Sequence, residues 1–254
     1  GSGAVLLAPS TVITIGLGTG TGNFADTDAE LDRVTTTGII TIGNVAFASA
    51  VLLDALTLDA KNITIVTNST INDDDDSGVS LVTSGTLVLT SNGAIGASGI
   101  SGSQGLNLDV GTLSVTATGG NDVTVTDSGT GGDTTYSIVT GGAGAVTVTQ
   151  VTNDILLTTI TTTGTVALVA TAAAIEDAAN DDATADITTT GAVSLTAATG
   201  IGIASNGSVD LDVGTVTIAT SAAGGVVLNL LDGNDGGVII SSVDASASGN
   251  VVIT

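Results

Sequence analysis

The passage LNLDVGTLSV at residues 106–115 returns later in the chain as VDLDVGTVTI at residues 209–218. An earlier passage, TSGTLVLT at residues 83–90, returns as TTGAVSLT at residues 189–196. The offset between copies falls from 106 residues in the earlier pair to 103 in the later pair, which indicates that a loop between the two passages lost three residues. Short strand-and-glycine phrases that repeat at variable spacing are typical of stacked, similar units. The sequence therefore predicts a solenoid.

Hydrophobic and polar residues alternate along these passages, as expected for strands that bury one face. In the segment 209–213, the pattern predicts that Val209, Leu211 and Val213 point inward and that Asp210 and Asp212 point outward. Threonine and valine dominate the remaining strands, and both suit a pleated, half-buried surface. The pattern therefore favours β-strands with an aliphatic inner row.

Glycines mark the corners between these strands. Gly214, Gly225, Gly237 and Gly249 follow one another at intervals of 11 or 12 residues. Such an interval holds a strand of about five residues plus a turn, in which glycine adopts positive φ without strain. Two or three such units complete a coil of about 20–30 residues. We therefore predict an all-β parallel β-helix of roughly ten coils.

The composition predicts a thin, aliphatic core. Aromatic residues make up 1% of the chain, and Cys, Met and Trp are absent, whereas 42% of the residues are hydrophobic. That hydrophobic content argues against disorder, and the absence of cysteine excludes disulfides and thiolate metal sites. An immunoglobulin-like sandwich, the alternative all-β fold, usually needs a large core aromatic residue and often a cysteine pair.

The repeats indicate one solenoid domain over residues 1–254, because no linker divides the chain. Residues 1–34 repeat less clearly and are predicted to form an irregular first coil or an interface. The alanine-rich segment 172–180 is predicted to form a turn or a protruding loop. The absence of an initiating methionine predicts a processed product or a segment of a longer protein.

The charge of the chain excludes several partners. It holds 25 acidic residues against Arg33 and Lys61, for a net charge of −23. Binding of nucleic acid depends on lysine and arginine, so nucleic acid and anionic membrane surfaces are excluded as partners. No run of about 18 apolar residues occurs, so we expect no membrane insertion. Arg33, Lys61 and Tyr136 are predicted to be scattered surface groups.

Acidic clusters are the only candidates for a metal site. Calcium takes six to eight oxygen ligands and tolerates irregular geometry. The turn at 73–76 and a glycine-rich turn at 231–237, which weakly resembles the calcium-binding nonapeptide of RTX proteins, therefore predict calcium as a cofactor. The candidate ligands are Asp73, Asp74, Asp75, Asp76, Asp232 and Asp235. A third cluster comprises Asp177, Asp181, Asp182 and Asp186. Solvated surface loops are the alternative interpretation for each cluster.

Enzymatic function is disfavoured by the residues that are missing. The chain has no His or Cys to act as general base or thiol nucleophile. Polysaccharide-processing β-helices need aromatic and cationic groups to hold their substrate, and these are nearly absent. Outward threonine rows suggest an ice-binding face as another alternative, but the variable repeat lengths argue against a regular lattice. We therefore expect a non-enzymatic protein.

The two ends of the chain are apolar and strand-like. One end carries Val5, Leu6 and Leu7, and the other carries Val251, Val252 and Ile253. An uncapped strand edge is a template for another chain, and a head-to-tail contact that does not close gives an open fibre. We therefore predict head-to-tail association with other copies of this chain into a filament, sheath or surface layer.

Three phrases carry a family resemblance: GTLVLT at residues 85–90, NGAIG at 92–96 and LDVGTLSV at 108–115. They resemble the giant bacterial β-strand-repeat proteins, which are similar to the filamentous-haemagglutinin class of adhesins. The resemblance covers most of residues 35–254 and supplies no catalytic residues. It implies a right-handed parallel β-helix, secretion in unfolded form, and residence outside the cell or at its surface. The alternative function is an adhesin or stalk segment whose loops bind a host or glycan receptor.

Overall fold

The structure is a computed structural model. It describes residues 1–75, 78–97, 105–179, 184–202, 207–221, 224–231, 233, 237–245 and 249–254.

The described chain is almost entirely β-strand, with one short helix near its start. The single helix is α1 (Asp28–Leu31). The strands are β1 (Val5–Leu7), β2 (Ile13–Gly18), β3 (Phe24–Asp26), β4 (Ile40–Gly43), β5 (Ala48–Asp54), β6 (Leu56–Thr57), β7 (Ile63–Val66), β8 (Thr70–Asp73), β9 (Leu81–Ser91), β10 (Leu106–Ala117), β11 (Val123–Asp127), β12 (Thr134–Thr140), β13 (Val146–Gln150), β14 (Ile155–Thr161), β15 (Val166–Ala170), β16 (Ala174–Asp177), β17 (Ile187–Ala197), β18 (Gly200–Ile201), β19 (Val209–Thr220), β20 (Val226–Leu230), β21 (Ile239–Ala245) and β22 (Val251–Ile253).

The strands form two parallel ladders, which we call sheet 1 and sheet 2. Sheet 1 contains β1, β4, β7, β12, β14, β16, β18, β20 and β22, and sheet 2 contains β2, β3, β5, β6, β8, β11, β13, β15 and β21. Four long strands, β9, β10, β17 and β19, bend so that each belongs to both sheets. All these pairings are parallel, which confirms the predicted parallel β-helix.

The inner row of sheet 1 shows how the coils stack. Its fully buried members, in order of pairing, are Ile42, Ile65, Leu89, Val115, Ile138, Ile160, Ile187 and Leu211. Half-buried Leu7 and Leu230 continue the row at its two ends. The solenoid has about eight turns, slightly fewer than the ten predicted. One reason is that the first connection, from Leu7 to Ile42, takes 35 residues instead of the 20–30 expected.

The core between the sheets is aliphatic, as predicted. Sheet 2 contributes a matching buried row of Ile95, Val123, Val146, Val166, Val193 and Val216. Burying one such side chain contributes about 1.5–3 kcal/mol. Because each rung stacks on the next in both sheets, this burial stabilises the solenoid along its whole length.

The bends of the four long strands lie at the glycines of the repeated phrases. A Cβ at Gly85 would lie 2.4 Å from the carbonyl oxygen of Lys61, and one at Gly191 would lie 2.1 Å from that of Gly164. Side chains larger than hydrogen therefore do not fit at these two corners, because the neighbouring coil stacks directly against the bend.

The two copies of the repeat lie on opposite sides of the solenoid. Leu87 belongs to sheet 1, where it pairs with Ile63, whereas its counterpart Val193 belongs to sheet 2, where it pairs with Val166. The repeat is thus half a turn out of phase with the coil. The same strand–glycine–strand phrase therefore forms the corner at either edge of the solenoid.

The predicted difference in loop length is confirmed. Nine residues separate Gly96 from Leu106, and six separate Gly202 from Val209. In both copies the glycine has positive φ, +66° at Gly96 and +61° at Gly202, and its N–H donates to a carbonyl of the preceding coil. In each copy, the residue before this glycine and the first residue of the next strand pair with the same neighbouring strand: Ile95 and Leu106 with β11, and Ile201 and Val209 with β20.

The prediction for segment 172–180 was partly wrong. Ala174–Asp177 forms β16, a fully buried strand that pairs with β14. Packing against the neighbouring coils has overridden the helical propensity of the alanines. Among the described residues, no helix is long and apolar enough to cross a membrane.

Candidate assembly surfaces and acidic clusters

Exposed large apolar side chains concentrate at the two ends of the solenoid. Of the eleven such side chains among the described residues, only Val139 and Val151 lie in the middle of the chain. The other nine are Leu6, Val12, Ile39, Val45, Phe47, Ile239, Ile240, Val251 and Val252. The first and last coils therefore carry more exposed apolar side chains than the middle of the described chain.

Within the described residues, β22 pairs only with β20 and β21 pairs only with β19, so the C-terminal end of this part of the chain is open in both sheets. Val251 and Ile253 continue the buried inner row through their partners Val226 and Leu228, while Val252 points outward. Ile239 on β21 is 64% exposed. This end has the unpaired strand edges and the uncovered apolar surface that were predicted.

At the N-terminal end, sheet 1 is open in the part of the chain that the structure describes, where β1 pairs with β4 alone. Strand β1 pairs with β4, so Val5 and Leu7 sit over the buried Ile40 and Ile42 and face inward. Leu6 points outward and is 65% exposed. The predicted apolar end strand is therefore present.

Sheet 2 is capped at the N-terminal end, which the sequence did not predict. Strand β3 lies parallel to β2 after a connection of only five residues, with Phe24 paired to Ile15. This return needs glycine, because a Cβ at Gly22 would lie 2.2 Å from the backbone nitrogen of Gly16. Phe24 then packs against the core, so β3 covers the end of sheet 2.

Helix α1 completes this cap. Thr27 and Glu30 form a capping box at its start, and Leu31 is buried. Lys61, whose ammonium group lies 2.8 Å from a carboxylate oxygen of Asp32, joins the end of the helix to a later coil. Lys61 is thus part of an intramolecular ion pair, which corrects its interpretation as a scattered surface group.

The two open edges of sheet 1 match in direction and phase. All its strands run parallel, so β1 and β22 point the same way at opposite ends of one ladder. In both strands, Val5–Leu7 and Val251–Ile253, the first and third side chains point inward and the middle side chain points outward. A second copy placed end to end therefore continues sheet 1 without reversing its inner face.

The predicted calcium ligands Asp73 and Asp74 serve the fold. Asp73 is buried, and its carboxylate accepts hydrogen bonds from the Ser80 hydroxyl at 2.7 Å and from the Asn107 amide at 3.4 Å. Asp74 accepts from the backbone N–H of Thr21 at 2.7 Å and from its hydroxyl at 3.1 Å. The Asp73 carboxylate therefore holds the segments around Ser80 and Asn107, and the Asp74 carboxylate holds the segment around Thr21. Asp75 is exposed beside them, and its backbone N–H donates to Asp73.

Asp76, Asp232 and Asp235 lie outside the described residues, as do Asp181 and Asp182 of the third cluster. Within the part of the chain that is described, no three His, Cys, Asp or Glu side chains gather closely enough to hold a metal ion. Calcium binding stays a prediction. We expect EDTA to lower the melting temperature by several degrees if calcium bridges these loops, and an unchanged melting curve would remove the hypothesis.

Two acids of the third cluster and one acid of the repeat are buried. Asp177 accepts a hydrogen bond from the backbone N–H of Ala179 at 2.7 Å, and Asp186 accepts from that of Asp210 at 2.9 Å. Asp210 was predicted to face solvent, but it is fully buried and also accepts from the Ser208 hydroxyl. The burial of Asp210 at an outward position is not revealed by alternation alone.

A buried polar cluster interrupts the aliphatic core. Asp127, Thr134, Tyr136 and Gln150 are all fully buried, so the prediction of Tyr136 as a surface group was wrong. The Tyr136 hydroxyl donates to the side-chain carbonyl of Gln150, and Thr134 donates to Asp127 at 3.3 Å. The sequence did contain a signal for this cluster: the phrases VTVTD and VTVTQ end in Asp127 and Gln150 at positions that alternation places inside.

The electrostatics of this cluster follow from burial. The pKa of Asp127 is raised to about 6, chiefly by burial and also by the nearby negative charge of Asp109, while hydrogen bonds from Gly129 and Thr134 act in the lowering direction. Burial and then the charge of Asp127 raise the pKa of Tyr136 well above its usual value. The cluster therefore has a carboxyl group that changes charge near pH 6 inside the solenoid.

Comparison with known proteins gives no relative: no protein-family model, no curated protein and no solved structure matches this chain.

Proposed function

We propose that this protein is a non-enzymatic structural subunit that stacks head to tail into a filament, sheath or surface layer outside the cell. The observation that carries the proposal is the exposure of Leu6, Val251 and Val252 on β1 and β22, the two edge strands of sheet 1 in the described chain. The sequence resemblance to bacterial β-strand-repeat surface proteins supports the extracellular location.

The junction is expected to form through sheet 1. An open parallel edge presents unpaired N–H and C=O groups, which another strand satisfies by joining the ladder. Strands β22 and β1 offer such edges with the same direction and the same inward phase. Sheet 2 contributes less, because β3 and α1 cover its N-terminal end. The contact joins different surfaces of the two copies, so it propagates into an open fibre.

The test uses one substitution at the junction and one matched substitution far from it. Val252→Asp places a carboxylate on the outward side of β22, where Val252 is 45% exposed. Val139→Asp makes the same change on an outward position of β12, where Val139 is 38% exposed. We expect the unaltered chain and Val139→Asp to form regular fibres in negative-stain images. Val252→Asp is expected to remain as short single rods, because the carboxylate replaces an apolar contact between Val252 and the outward-facing Leu6 of the next copy.

Equal fibre formation by the two variants would contradict a junction at β22. Short single rods for the unaltered chain at high concentration would contradict head-to-tail assembly altogether and would favour the alternative of an adhesin or stalk segment. Circular dichroism of both variants checks that the solenoid itself remains folded.

A further inference from the structure

The two sheets of the solenoid end at different heights. At the C-terminal end, β20 and β21 form a coil across both sheets, and β22 then begins a further coil on sheet 1. At the N-terminal end, β1 and β2 form the first coil across both sheets, and β3 lies one strand beyond β2 on sheet 2. Each end of the described chain therefore carries half a coil, on sheet 1 at one end and on sheet 2 at the other.

The two half-coils have complementary shapes. In the described chain, β22 has no strand of the same coil on sheet 2, and β3 has none on sheet 1. Each half-coil projects by one inter-strand spacing of about 4.8 Å. When β1 of a second copy lies on β22, the β3 strand of that copy therefore comes to the height of β22 and lies on β21. Since β3 runs parallel to β2, it also has the direction of the strands in sheet 2.

The inner row of sheet 2 ends in large apolar side chains at both of these edges. It begins at Phe24 on β3 and ends at Ile240 on β21. Its other members, in order of pairing, are Ile15, Val51, Ile71, Ile95, Val123, Val146, Val166, Val193 and Val216. Ile240 occupies an inward position but is 40% exposed, because no described strand lies beyond it. Phe24 of the next copy, placed on Ile240, continues the row and covers both side chains.

The inner row of sheet 1 defines the matching register for the other half of the contact. Its two ends are Leu7 and Leu230. Leu228 lies two residues before Leu230 and pairs with Ile253. Because Val5 lies two residues before Leu7, the row that contains Ile253 continues onto Val5 of the next copy.

We propose that the half-coils interlock, so that β22 of one copy and β3 of the next form a single coil and the aliphatic core runs through the junction. This inference rests on the proposed head-to-tail assembly and adds a second contact to it, between β3 and β21. Unpaired N–H and C=O groups at an open edge are satisfied when a strand joins the ladder. The sheet 2 contact is the smaller one, since β3 has only three residues.

Helix α1 lies away from the edge that this contact uses. The carboxylate of Asp28 accepts a hydrogen bond from the backbone N–H of Thr57 at 3.1 Å, and Asp32 pairs with Lys61 at 2.8 Å. Thr57 and Lys61 belong to later coils than β2, so the chain turns inward along the solenoid after β3. Among the described residues, β3 pairs only with β2, and its outer edge is open.

One carboxylate opposes the contact. Asp26 lies at an inward position of β3, in the row of Leu17, and in the proposed register it meets Val243 of the preceding copy. Its Oδ2 atom is buried and has no hydrogen-bond partner among the described residues, and burial, followed by the charge of Glu30, raises its pKa. Because the junction buries this group further, we expect Asp26→Asn to accelerate assembly several-fold. Asp122→Asn, at an exposed position in the middle of the chain, corrects for the general loss of negative charge.

The absence of cysteine from the chain allows the contact to be tested by disulfide formation. Ala25→Cys combined with Ser242→Cys places thiols at directly opposed outward positions of β3 and β21. Neighbouring strands lie about 4.8 Å apart, within the roughly 4.4–6.8 Å between Cα atoms that a disulfide spans. Within one copy, about eight turns, or roughly 40 Å, separate the two residues. The bond therefore forms only between copies, and we expect a ladder of covalent multimers on a non-reducing gel after mild oxidation.

The matched control moves one thiol by two residues along the same strand. In Ala25→Cys combined with Asp244→Cys, the second thiol is again outward and exposed on β21, but the Cα atoms are about 8 Å apart in the proposed register, too far for a disulfide. The single variants Ala25→Cys and Ser242→Cys form dimers at most, since each has one thiol. Equal ladders from the two double variants would overturn the proposed register. Circular dichroism checks that each variant is folded.

A second pair of cysteines separates this inference from the proposed function. Leu6→Cys combined with Thr254→Cys reports the sheet 1 contact, because Leu6 lies opposite Thr254 and diagonal to Val252 in the same register. A ladder from this pair but none from Ala25→Cys with Ser242→Cys would overturn the interlocking and leave head-to-tail assembly through sheet 1. No ladder from either pair would overturn both. Ladders from both pairs, formed faster when Asp26→Asn is added, are the result that we expect.

Discussion

Replacement of Gly202 by alanine is expected to lower the melting temperature by about 10 °C. Gly202 has φ +61°, and a Cβ there would lie 2.0 Å from the carbonyl oxygen of Val227. The left-handed conformation costs alanine about 1–2 kcal/mol, and displacing packed backbone costs about 1–3 kcal/mol more. Melting followed by circular dichroism measures the sum.

Three matched alanine substitutions separate the two causes. Gly78 has φ +83°, and no atom of the described residues lies within 4 Å of a Cβ there, so Gly78→Ala is expected to carry only the backbone cost. Gly191 has no positive φ but a Cβ contact at 2.1 Å, so Gly191→Ala carries only the steric cost. Gly3→Ala carries neither and serves as the control. A Gly202→Ala protein as stable as Gly3→Ala would contradict the stacking of the coils at this corner.

Acidification from pH 7 to pH 4 is expected to stabilise the solenoid through Asp127, by up to about 3 kcal/mol at ~1.36 kcal/mol per pKa unit. The pKa of Asp127 is raised from 3.8 to about 6 in the folded chain. Below pH 3.8 the carboxyl is protonated in both the folded and unfolded states, and the full stability is present. As the pH rises towards 6, the unfolded chain releases its proton first, so stability falls; above pH 6 the loss is complete.

Asp127→Asn is expected to remove this dependence and to raise stability at pH 7, because the amide is neutral and can still accept from the backbone N–H of Gly129. Asp122→Asn is the control, since Asp122 flanks the same strand but is exposed. Because the chain has a net charge of −23, any change of an acid to an amide reduces the repulsion between its negative charges, and the Asp122→Asn control corrects for this effect. Denaturant unfolding at pH 4, 5, 6 and 7 measures the free energy of unfolding of both variants. If the two free energies change with pH in the same way, a buried, ionising Asp127 is contradicted.

The inner rows could be predicted because their signal is local. Alternation put Val209, Leu211 and Val213 inside, and all three are buried. The same rule failed for Asp210, which lies at an outward position but is fully buried and accepts a hydrogen bond from Ser208. Tyr136 was predicted at the surface as an isolated residue, although it shares the inward phase of Ile138. Its hydrogen-bond partner Gln150 lies 14 residues away on the other sheet, and a partner on a different strand is not visible in the alternation of β12 itself.

The apolar end strands were also predictable, because Val5–Leu7 and Val251–Ile253 stand out in the sequence itself. The sequence did not predict that both end strands belong to the same sheet, because this depends on the number of half-turns of the solenoid between them. The cap formed by β3 and α1 was equally hidden, since its parallel return over five residues requires backbone contacts between Gly16 and Gly22.

By itself, the sequence determined that the chain coils: period-two alternation and corner glycines act within a few residues, and aliphatic side chains fill only a narrow core. The tertiary structure decided where each phrase lies. The two copies of the repeat lie at opposite corners of the solenoid because the roughly one hundred residues between them do not make a whole number of turns. The lengths of the loops between the strands set the extra half-turn. The position of a strand around the solenoid depends on the lengths of all the connections before it, so no single stretch of sequence determines it.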